Sequence, residues 1–405
     1  MTRRVLVALD KFKGTLDAER ACEVVAEVIR RERPHWQIDC APLTDGGDGF
    51  CRITTRAAGG VLIPARVHGP LFDAEGRAER VEAAVGVVEA SALSAQALAL
   101  LDVPEGVRRL AVIDMASASG LSLVPRDRMD VWRSSSRGTG ELLLAAAGQG
   151  VDAIVLGVGG SATSDLGLGA LETLGLVFHG VSGTSVSPPL PALWPSVTAV
   201  SGRVRPVPSV RVACDVDNPL FGPRGAAAVY GPQKGLRAPD LPRFEAAAER
   251  LAREVCRHLG ADPRHFDTPG AGAAGGIAFG LLVGAGARLV PGSALVAAWL
   301  GLEARARAAD WVLTGEGRFD ESSWAGKGPG ALVALARAAG RRCAVFAGSV
   351  APGLSARGAP GPSEGAPAPE LIAISPPREP LSRVLPHTRE NLEQAVARWL
   401  ERTLD

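Results

Sequence analysis

Lysine is nearly absent from this sequence. The 405 residues carry 44 positive side chains, of which four are lysines, and all four lie in glycine-bearing segments that are predicted to be loops: Lys11, Lys13, Lys234 and Lys327. A chain this rich in arginine uses guanidinium wherever any positive charge suffices, whereas a compact ammonium with three rotatable donors suits a moving phosphate oxygen. The lysines therefore indicate one anion site built from distant loops, with four unrelated surface residues as the alternative.

Other features are missing as well. The six cysteines include no CxxC pair and the six histidines no HExxH grouping, which argues against a zinc site and predicts reduced thiols in a cytoplasmic protein. The net charge is +1 without a basic run, so nucleic acid and acidic membrane surfaces are not expected partners. The apolar run 5–9 is too short for a signal peptide, and the uncharged stretch 271–287 is too rich in glycine for a membrane-spanning helix.

Short β-branched runs alternate with longer amphipathic segments, which is typical of an α/β protein with a mainly parallel sheet covered by helices. The length predicts two domains. Asp17 is predicted to cap the first helix, and a last helix is predicted from Thr388. Strands are predicted at 5–9, 38–43, 111–115, 153–158, 210–214, 311–314 and 343–347. In open parallel sheets ligands bind at the carboxyl ends of the strands, so the loops that follow are where chemistry is expected.

The first two such loops carry acids beside glycines. Asp10 is followed by two lysines and Gly14 ahead of a helix start, which attracts anions; a solvated turn is the alternative. Asp45 and Asp48 are three residues apart on either side of two glycines. Carboxylates held in this way suit the binding of hydroxyls or of magnesium, with a tight turn as the alternative, while the terminal Glu of a calcium loop is absent.

The third loop, 157–165, follows a predicted strand and opens a helix. Its successive glycine amides and its Ser and Thr hydroxyls would form a donor-lined concavity for phosphate. The same loop fits the GxGxxA form of a dinucleotide fingerprint, so a nicotinamide-dependent oxidoreductase is a rival interpretation. The acid expected about twenty residues later is missing from 177–181, which argues against that rival.

The last two loops add more charge. Asp215 and Asp217 follow a predicted strand, and Pro219 occupies the position where a calcium loop needs an oxygen ligand, so a magnesium or hydroxyl site and a plain Asx turn both stay open. The segment 314–320 carries acids and an arginine, but the residues around Lys327 do not form a Walker A loop. Glycine loops, lysines and carboxylates at strand ends are together the parts of a metal-assisted phosphoryl transfer enzyme.

As a set, these motifs resemble the bacterial glycerate kinases of the first type, in the same order and across nearly the whole chain. The resemblance rests on eight segments: 10–14, 45–49, 115–121, 159–163, 213–219, 231–235, 270–276 and 314–318. It implies ATP- and Mg²⁺-dependent phosphorylation of D-glycerate, most often at the 2-hydroxyl. Phosphorylation at the 3-hydroxyl, another small hydroxy acid as substrate, and a non-catalytic small-molecule binder stay open.

The resemblance also implies a fold of two α/β domains. A flavodoxin-like parallel-sheet domain is expected from both chain ends, residues 1–62 and 290–405, with a second α/β domain, 63–289, inserted between them. Oligomeric state is left open, with a homo-oligomer as one option. The chain departs from the family pattern at Lys11, where the family has Ser, at Asp48, where it has Glu, and at Leu166, where it has Gly.

Roles follow for individual residues. Asp45 or Asp165 is predicted to accept the proton of the substrate hydroxyl. The predicted catalytic residues are Asp45, Asp165, Lys13, Lys234 and Lys327. Arg318 would hold the glycerate carboxylate, with a surface ion pair as the alternative. Substrate or phosphate binding is predicted for Asp10, Lys11, Gly14, Gly46, Gly47, Asp48, Gly159, Gly160, Ser161, Thr163, Asn218, Gln233, Gly275, Gly276 and Arg318. The predicted metal ligands are Asp215, Asp217, Glu316 and Asp320.

Overall fold

The computed structural model describes residues 2–324, 328–360, 366–376 and 379–403, so Lys327 lies outside the described residues. The described strands are β1 (Arg4–Val7), β2 (Gln37–Cys40), β3 (Val61–Phe72), β4 (Ala78–Glu89), β5 (Arg109–Asp114), β6 (Ala153–Gly157), β7 (Leu176–His179), β8 (Ala199–Gly202), β9 (Ser209–Ala213), β10 (Arg288–Val290), β11 (Trp311–Phe319), β12 (Arg342–Val350) and β13 (Glu370–Ala373). The described helices are α1 (Ala18–Glu32), α2 (Phe50–Ala57), α3 (Ala95–Leu101), α4 (Ala116–Ser119), α5 (Arg137–Ala147), α6 (Leu168–Thr173), α7 (Ala226–Tyr230), α8 (Leu241–Leu259), α9 (Ala273–Ala285), α10 (Gly292–Trp299), α11 (Leu302–Ala308), α12 (Gly328–Ala338), α13 (Leu381–Val384) and α14 (Thr388–Arg402).

The chain divides into two compact units. The first unit comprises Met1–Asp45 and Val296–Asp405, and the second unit comprises Gly46–Leu295. Both chain ends therefore belong to the first unit. The first boundary lies at residue 45 rather than at the expected 62, because α2 packs against β4 and β5 of the second unit.

The first unit contains a five-stranded sheet in the order β13-β12-β11-β1-β2, and all four strand pairs are parallel. Counted within this unit, the order is 2-1-3-4-5, which is the flavodoxin-like order. The strand order reverses between β1 and β11. In this topology that reversal marks the ligand-binding edge of the sheet.

The two predicted terminal helices of this unit are confirmed. The Asp17 side chain accepts a hydrogen bond from the amide of Arg20, and α1 begins directly after this cap. Helix α14 begins at Thr388 and buries Trp399, whose ring contacts Trp311 edge to face at a centroid distance of 4.9 Å. The apolar faces of α1 and α14 thus join the parallel strands in one core.

The second unit contains a mixed six-stranded sheet in the order β10-β9-β6-β5-β4-β3. Its β5, β6, β9 and β10 are parallel, whereas β4 is antiparallel to both β5 and β3. The sequence did not predict the β3–β4 hairpin, because many of its side chains are half-exposed and polar and break the apolar run. Strands β7 and β8 form a separate antiparallel pair.

The uncharged stretch 271–287 forms α9, which is buried in the second unit. Its first turn is interrupted by three residues with left-handed backbone, Ala274, Gly275 and Gly276. Among the described residues, no helix combines the length and the apolar character needed to cross a membrane.

Candidate active site

The first unit brings an acidic cluster, defined here as Asp10, Asp45, Glu316 and Asp320, to the carboxyl ends of its strands. Asp10 follows β1, and its amide donates to Gly315 O of β11 at 2.8 Å. Asp45 ends the segment after β2, and Glu316 lies in the part of β11 that extends beyond β1. The cluster therefore occupies the edge where the strand order reverses, as the sequence predicted for ligand-binding loops.

Lys11 holds Asp45 in this cluster. Lys11 Nζ lies 3.2 Å from Asp45 Oδ1, and the Asp45 side chain remains 44% exposed. The amide of Lys11 donates to Asp10 Oδ1 at 2.7 Å, and a Cβ added to Gly328 would lie 3.5 Å from Asp10 Oδ2. One solvent-facing carboxylate and one enclosed carboxylate thus lie beside the same lysine.

Two acids of the cluster have raised pKa values. Burial raises the pKa of Asp10 to about 6, helped by the charge of Asp45 and opposed by Lys11 and Lys13. Burial also raises the pKa of Glu316 to about 7, and the charges of Asp10 and Asp320 add to the shift. Glu316 Oε1 is buried and has no hydrogen-bond partner within the described part of the chain. Such a pair of carboxylates gains from an added cation.

Lys13, Arg318 and Asp320 lie near the surface of the first unit. Lys13 is exposed, and a Cβ added to Gly317 would lie 3.4 Å from its amide nitrogen. Arg318 Nε lies 3.3 Å from Asp320 Oδ2, and the Arg318 side chain is 71% exposed. The geometry of Arg318 is thus that of the surface ion pair. Gly14 supplies the left-handed backbone, φ 80°, of the turn after Lys13.

In the second unit, the glycines of the 157–165 loop serve close packing. A Cβ added to Gly157 would lie 2.4 Å from Gly46 O, and one added to Gly159 would lie 2.8 Å from the backbone of Gly47. The amide of Gly159 donates to Gly46 O at 3.0 Å, and the amide of Ala162 donates to Ser119 O at 2.8 Å. These two amides of the expected phosphate-binding row are therefore already occupied.

Asp48 and Gly160 lie next to each other in the second unit. Asp48 Oδ1 accepts a hydrogen bond from Ser122 Oγ at 3.2 Å, and a Cβ added to Gly160 would lie 3.7 Å from Asp48 Oδ2. Ser122 was not among the sequence candidates. Its signal was its place just after the matched segment 115–121.

The sequence interpretation also did not select Asp114. Asp114 is the last residue of β5, a position similar to that of Asp10 shortly after β1. Its carboxylate accepts hydrogen bonds from the amides of Cys51, at 3.0 Å, and Ser117, at 2.9 Å. Burial raises the pKa of Asp114, and these hydrogen bonds oppose the shift. It therefore joins the first turns of α2 and α4 beneath the loop that carries Asp48.

Lys234 is not a surface lysine. Its side chain is 2% exposed, and Nζ donates to Ser161 Oγ at 2.9 Å and to Thr163 O at 2.7 Å. Burial lowers the pKa of Lys234 to about 7, opposed by the negative charge of Asp165. The neighbouring Gln233 is exposed. The loop of Lys234 thus turns one side chain to solvent and the other into the core.

Asp165 is fully buried and saturated with hydrogen bonds. Its carboxylate accepts from the amide and hydroxyl of Ser136, at 2.7 and 2.8 Å, and from the amides of Gly167 and Gly169, at 3.2 and 3.1 Å. Burial raises its pKa, and the hydrogen bonds oppose the rise. This carboxylate joins α6 to the start of α5, and it offers no exposed oxygen to a substrate.

Asp215 and Asp217, which the sequence predicted to be metal ligands, have different partners. Asp215 accepts from the amide and hydroxyl of Ser293 in the first turn of α10, whereas Asp217 is 76% exposed beside Arg224. Within the described ranges, no three His, Cys, Asp or Glu side chains are grouped so that they could hold a metal ion. Asp215 therefore acts as a helix cap.

Asn218 is held at both ends of its amide. Its Oδ1 accepts from the Tyr230 hydroxyl at 2.6 Å, and its Nδ2 donates to Arg224 O at 2.7 Å. Tyr230 is the one tyrosine in the sequence, and the sequence interpretation did not select it.

Gly275 and Gly276 pack against the end of the 157–165 loop. A Cβ added to Gly275 would lie 2.0 Å from Thr163 O, and the amide of Leu166 donates to Gly275 O at 3.0 Å. Leu166 itself has a left-handed backbone with φ 59°. The glycine that the family pattern has at this position is the residue that adopts this conformation without strain.

Comparison with known proteins identifies the family of the chain. The model of the glycerate kinase family matches residues 5–403. A glycerate kinase of Bacillus subtilis is 35% identical over 97% of this chain and 96% of its own length, and a glycerate 2-kinase of Escherichia coli is 34% identical over 80% of each. A crystal structure from Salmonella typhimurium LT2, described as a glycerate kinase 2, superposes with a TM-score of 0.72 at 30% identity and covers 99% of this chain and 98% of its own.

The chain belongs to the glycerate kinase family. Its α/β class, its membership of a phosphotransferase family and the resemblance seen in the sequence are thereby confirmed. The nicotinamide alternative loses its support, because Gly157 and Gly159 are explained by loop packing. Membership of a kinase family also implies ATP as the phosphoryl donor.

Proposed function

We propose that this protein transfers the γ-phosphoryl group of ATP to the 2-hydroxyl of D-glycerate. The E. coli relative named glycerate 2-kinase supports the position of transfer. The observation that carries the chemical proposal is the acidic cluster beside Lys11 and Lys13 at the strand-order reversal of the first unit. Phosphoryl transfer needs charge neutralisation and alignment at such a position.

The reaction exchanges one P–O bond for another. The 2-hydroxyl oxygen of D-glycerate forms a bond to the γ-phosphorus, the bond to the β–γ bridging oxygen breaks, and ADP leaves with that electron pair. The proton of the hydroxyl passes to a carboxylate of the protein. The products are 2-phosphoglycerate and ADP.

Asp45 is our candidate for this proton acceptor. Its side chain is 44% exposed and lies 3.2 Å from Lys11 Nζ, so a substrate hydroxyl can approach the carboxylate from solvent. Asp165, the other acid considered from the sequence, accepts four hydrogen bonds in the core, and we assign it to positioning the loop.

Asp10 and Glu316 are our candidates for holding Mg²⁺, with Asp320 near them. The unpartnered Glu316 Oε1 and the raised pKa values of both acids fit a cation, which would relieve their repulsion. Mg²⁺ is commonly bound by one or two carboxylates together with substrate phosphates, so a preformed three-ligand group is not required. When bound, the ion would neutralise charge on the transferring phosphoryl group.

Lys13 and the hydroxyl of Ser161 are our candidates for contacts with anionic oxygens of the substrates, and Asp48 for a contact with a glycerate hydroxyl. Lys13 is an exposed ammonium after β1, and Asp48 lies between Ser122 and Gly160. A catalytic role for Lys327 stays a prediction. A homo-oligomer and a cytoplasmic location also stay predictions.

The decisive experiment is a coupled assay of ADP release with ATP, Mg²⁺ and D-glycerate. We expect ADP release that depends on D-glycerate, and phosphorus NMR of the product should show a phosphate on the 2-oxygen. A product phosphorylated on the 3-oxygen would correct the position. Release with another small hydroxy acid alone would correct the substrate, and no release with any hydroxy acid would reject the proposal.

A further inference from the structure

The contact between Lys234 and Ser161 has a consequence for substrate binding. Lys234 is 2% exposed, so its ammonium is enclosed by protein. Its Nζ lies 2.9 Å from Ser161 Oγ and 2.7 Å from Thr163 O. The lysine is therefore placed to act on a ligand through Ser161.

While Lys234 is protonated, the donor and acceptor roles in this contact are fixed. An ammonium has three donors and no acceptor, so Ser161 Oγ must accept the hydrogen bond. The hydroxyl proton of Ser161 is then free to be donated elsewhere. No acceptor for it is found among the residues that the structure describes, and the 6% of Ser161 that is exposed leaves an opening.

A second hydroxyl of the same loop is also incomplete. Thr163 has no exposed surface, and its Oγ1 has no hydrogen-bond partner in the described ranges. Buried hydroxyls in proteins almost always have a partner. Two neighbouring side chains of this loop thus have hydrogen bonds that the described protein does not complete.

We infer that Lys234 is a positioning residue whose ammonium turns the Ser161 hydroxyl into a donor to an anionic oxygen of the bound ligand. The inference rests on the proposed function for the choice of ligands. The anionic oxygen belongs either to the carboxylate of D-glycerate or to a phosphate of the nucleotide, and both share the same chemistry. A hydroxyl that already accepts from the ammonium has fewer orientations to lose on binding than a free hydroxyl, so the contact is partly preorganised.

Isothermal titration with D-glycerate and with ADP, without turnover, measures this role. Ser161→Ala should weaken one of the two ligands by about 10- to 100-fold, the usual range for a hydrogen bond to a charged group. Lys234→Met should weaken the same ligand. The double variant should be no weaker than Ser161→Ala alone, because both changes remove one contact.

Arg211→Met is the matched control. Arg211 is a second buried cation of the same unit, 3% exposed, and from the middle of β9 it donates to Leu101 O at the end of α3. Its replacement should lower the melting temperature and leave both dissociation constants within twofold. Should Lys234→Met fail to fold, Ser161→Ala still tests the ligand contact, since it keeps the Lys234 hydrogen bond to Thr163 O, and the pH profile of kcat/KM then tests the role of Lys234.

The pH dependence of kcat/KM gives a second readout. Above the Lys234 pKa of about 7 the neutral amine can accept a hydrogen bond from the Ser161 hydroxyl, which is then no longer directed toward the ligand. The charge of Asp165 opposes this loss of the proton. We expect an alkaline decline in wild-type kcat/KM that is absent in Ser161→Ala.

Three outcomes overturn the inference: unchanged binding of both ligands in Ser161→Ala, full additivity of the two changes, or a decline that persists in Ser161→Ala. These outcomes are distinct from failure of the proposed function. If the proposed function failed, wild-type protein would release no ADP with D-glycerate, while the ADP titrations would still report on Ser161.

Discussion

The carboxylates near the carboxyl ends of the strands have different hydrogen-bond partners in the two units. In the second unit Asp114, Asp165 and Asp215 each accept amide hydrogen bonds from the first turns of helices. In the first unit Asp10 and Glu316 have raised pKa values, and Glu316 Oε1 has no partner within the described residues. Asp114, Asp165 and Asp215 thus act as helix caps, whereas Asp10 and Glu316, which accept from no helix amide among the described residues, are candidates for ligand chemistry.

The largest expected effect comes from Asp45→Asn. If Asp45 accepts the hydroxyl proton, kcat should fall by about 10²–10⁴-fold, the usual contribution of a general base. The melting temperature should change little, because the side chain is 44% exposed. Steady-state kinetics in the coupled assay measures the effect.

Asp73→Asn is the control for this substitution, since Asp73 lies in an exposed turn and pairs with Arg77. It should keep wild-type kinetics. Near-normal turnover of Asp45→Asn, together with an inactive Glu316→Gln, would transfer the role of proton acceptor to Glu316.

Glu316→Gln should lower kcat by about 10²–10³-fold, as expected for loss of a charge contact to the transition state. It should also stabilise the protein. The pKa of Glu316 is about 7 when folded and near 4.5 when unfolded, so its ionisation costs stability as pH rises between these values. The variant should therefore melt above wild type at pH 8 and nearly with it at pH 4.5.

Thermal melts with and without Mg²⁺ test whether Glu316 is part of the metal site as well as a buried carboxylate that costs stability. Added Mg²⁺ should raise the melting temperature of wild type and narrow the difference at pH 8, because the ion compensates the ionised pair. The same rise in Glu316→Gln as in wild type would remove Glu316 from the metal site.

Asp165→Asn tests the other side of the comparison. The amide can replace one carboxylate oxygen as acceptor but presents an NH₂ group to at least one amide donor, so we expect a loss of about 1–3 kcal/mol in the free energy of unfolding. Denaturant melts measure it. At a low temperature where the Asp165→Asn variant is folded, its kcat should stay within tenfold of the wild-type value. A loss of kcat as large as that of Asp45→Asn would instead indicate that Asp165 is the general base.

The smallest expected effect concerns Leu166, whose φ of 59° is left-handed. Both Leu166→Ala and Leu166→Gly remove a buried side chain, but only glycine adopts this backbone freely. The glycine variant should be more stable than the alanine variant by about 1 kcal/mol. Denaturant melts should show this order. A higher free energy of unfolding for Leu166→Ala than for Leu166→Gly would show that the backbone strain is negligible.

Much of the fold followed from sequence patterns. The predicted strands 153–158 and 210–214 lie within a residue or so of β6 and β9. A parallel strand buried on both faces gives an unbroken apolar run, as in β6, whereas Arg211 interrupts the run of β9. The β3–β4 hairpin was missed because its exposed face carries polar residues. The mixed sheet of the second unit follows from that hairpin.

The candidate site was predicted less evenly. Lys11, Asp10 and Asp45 were selected from their motifs, and the structure brings them together in the first unit. Lys234 was expected to reach a ligand from a surface loop, yet its ammonium is enclosed by Ser161 and Thr163. Glycines in a loop do not predict whether a neighbouring side chain, such as that of Lys234, is buried or exposed.

The amino-acid sequence alone determined the α/β class, the loops that carry the charged residues and the family to which the chain belongs, because these depend on local patterns and on motif order. Only the tertiary structure decided which acids are helix caps and which keep unsatisfied charge. The amide partners of Asp114 and Asp215 include Cys51 and Ser293, which are 63 and 78 residues away in the chain. Burial and pKa therefore depend on neighbours that folding alone supplies.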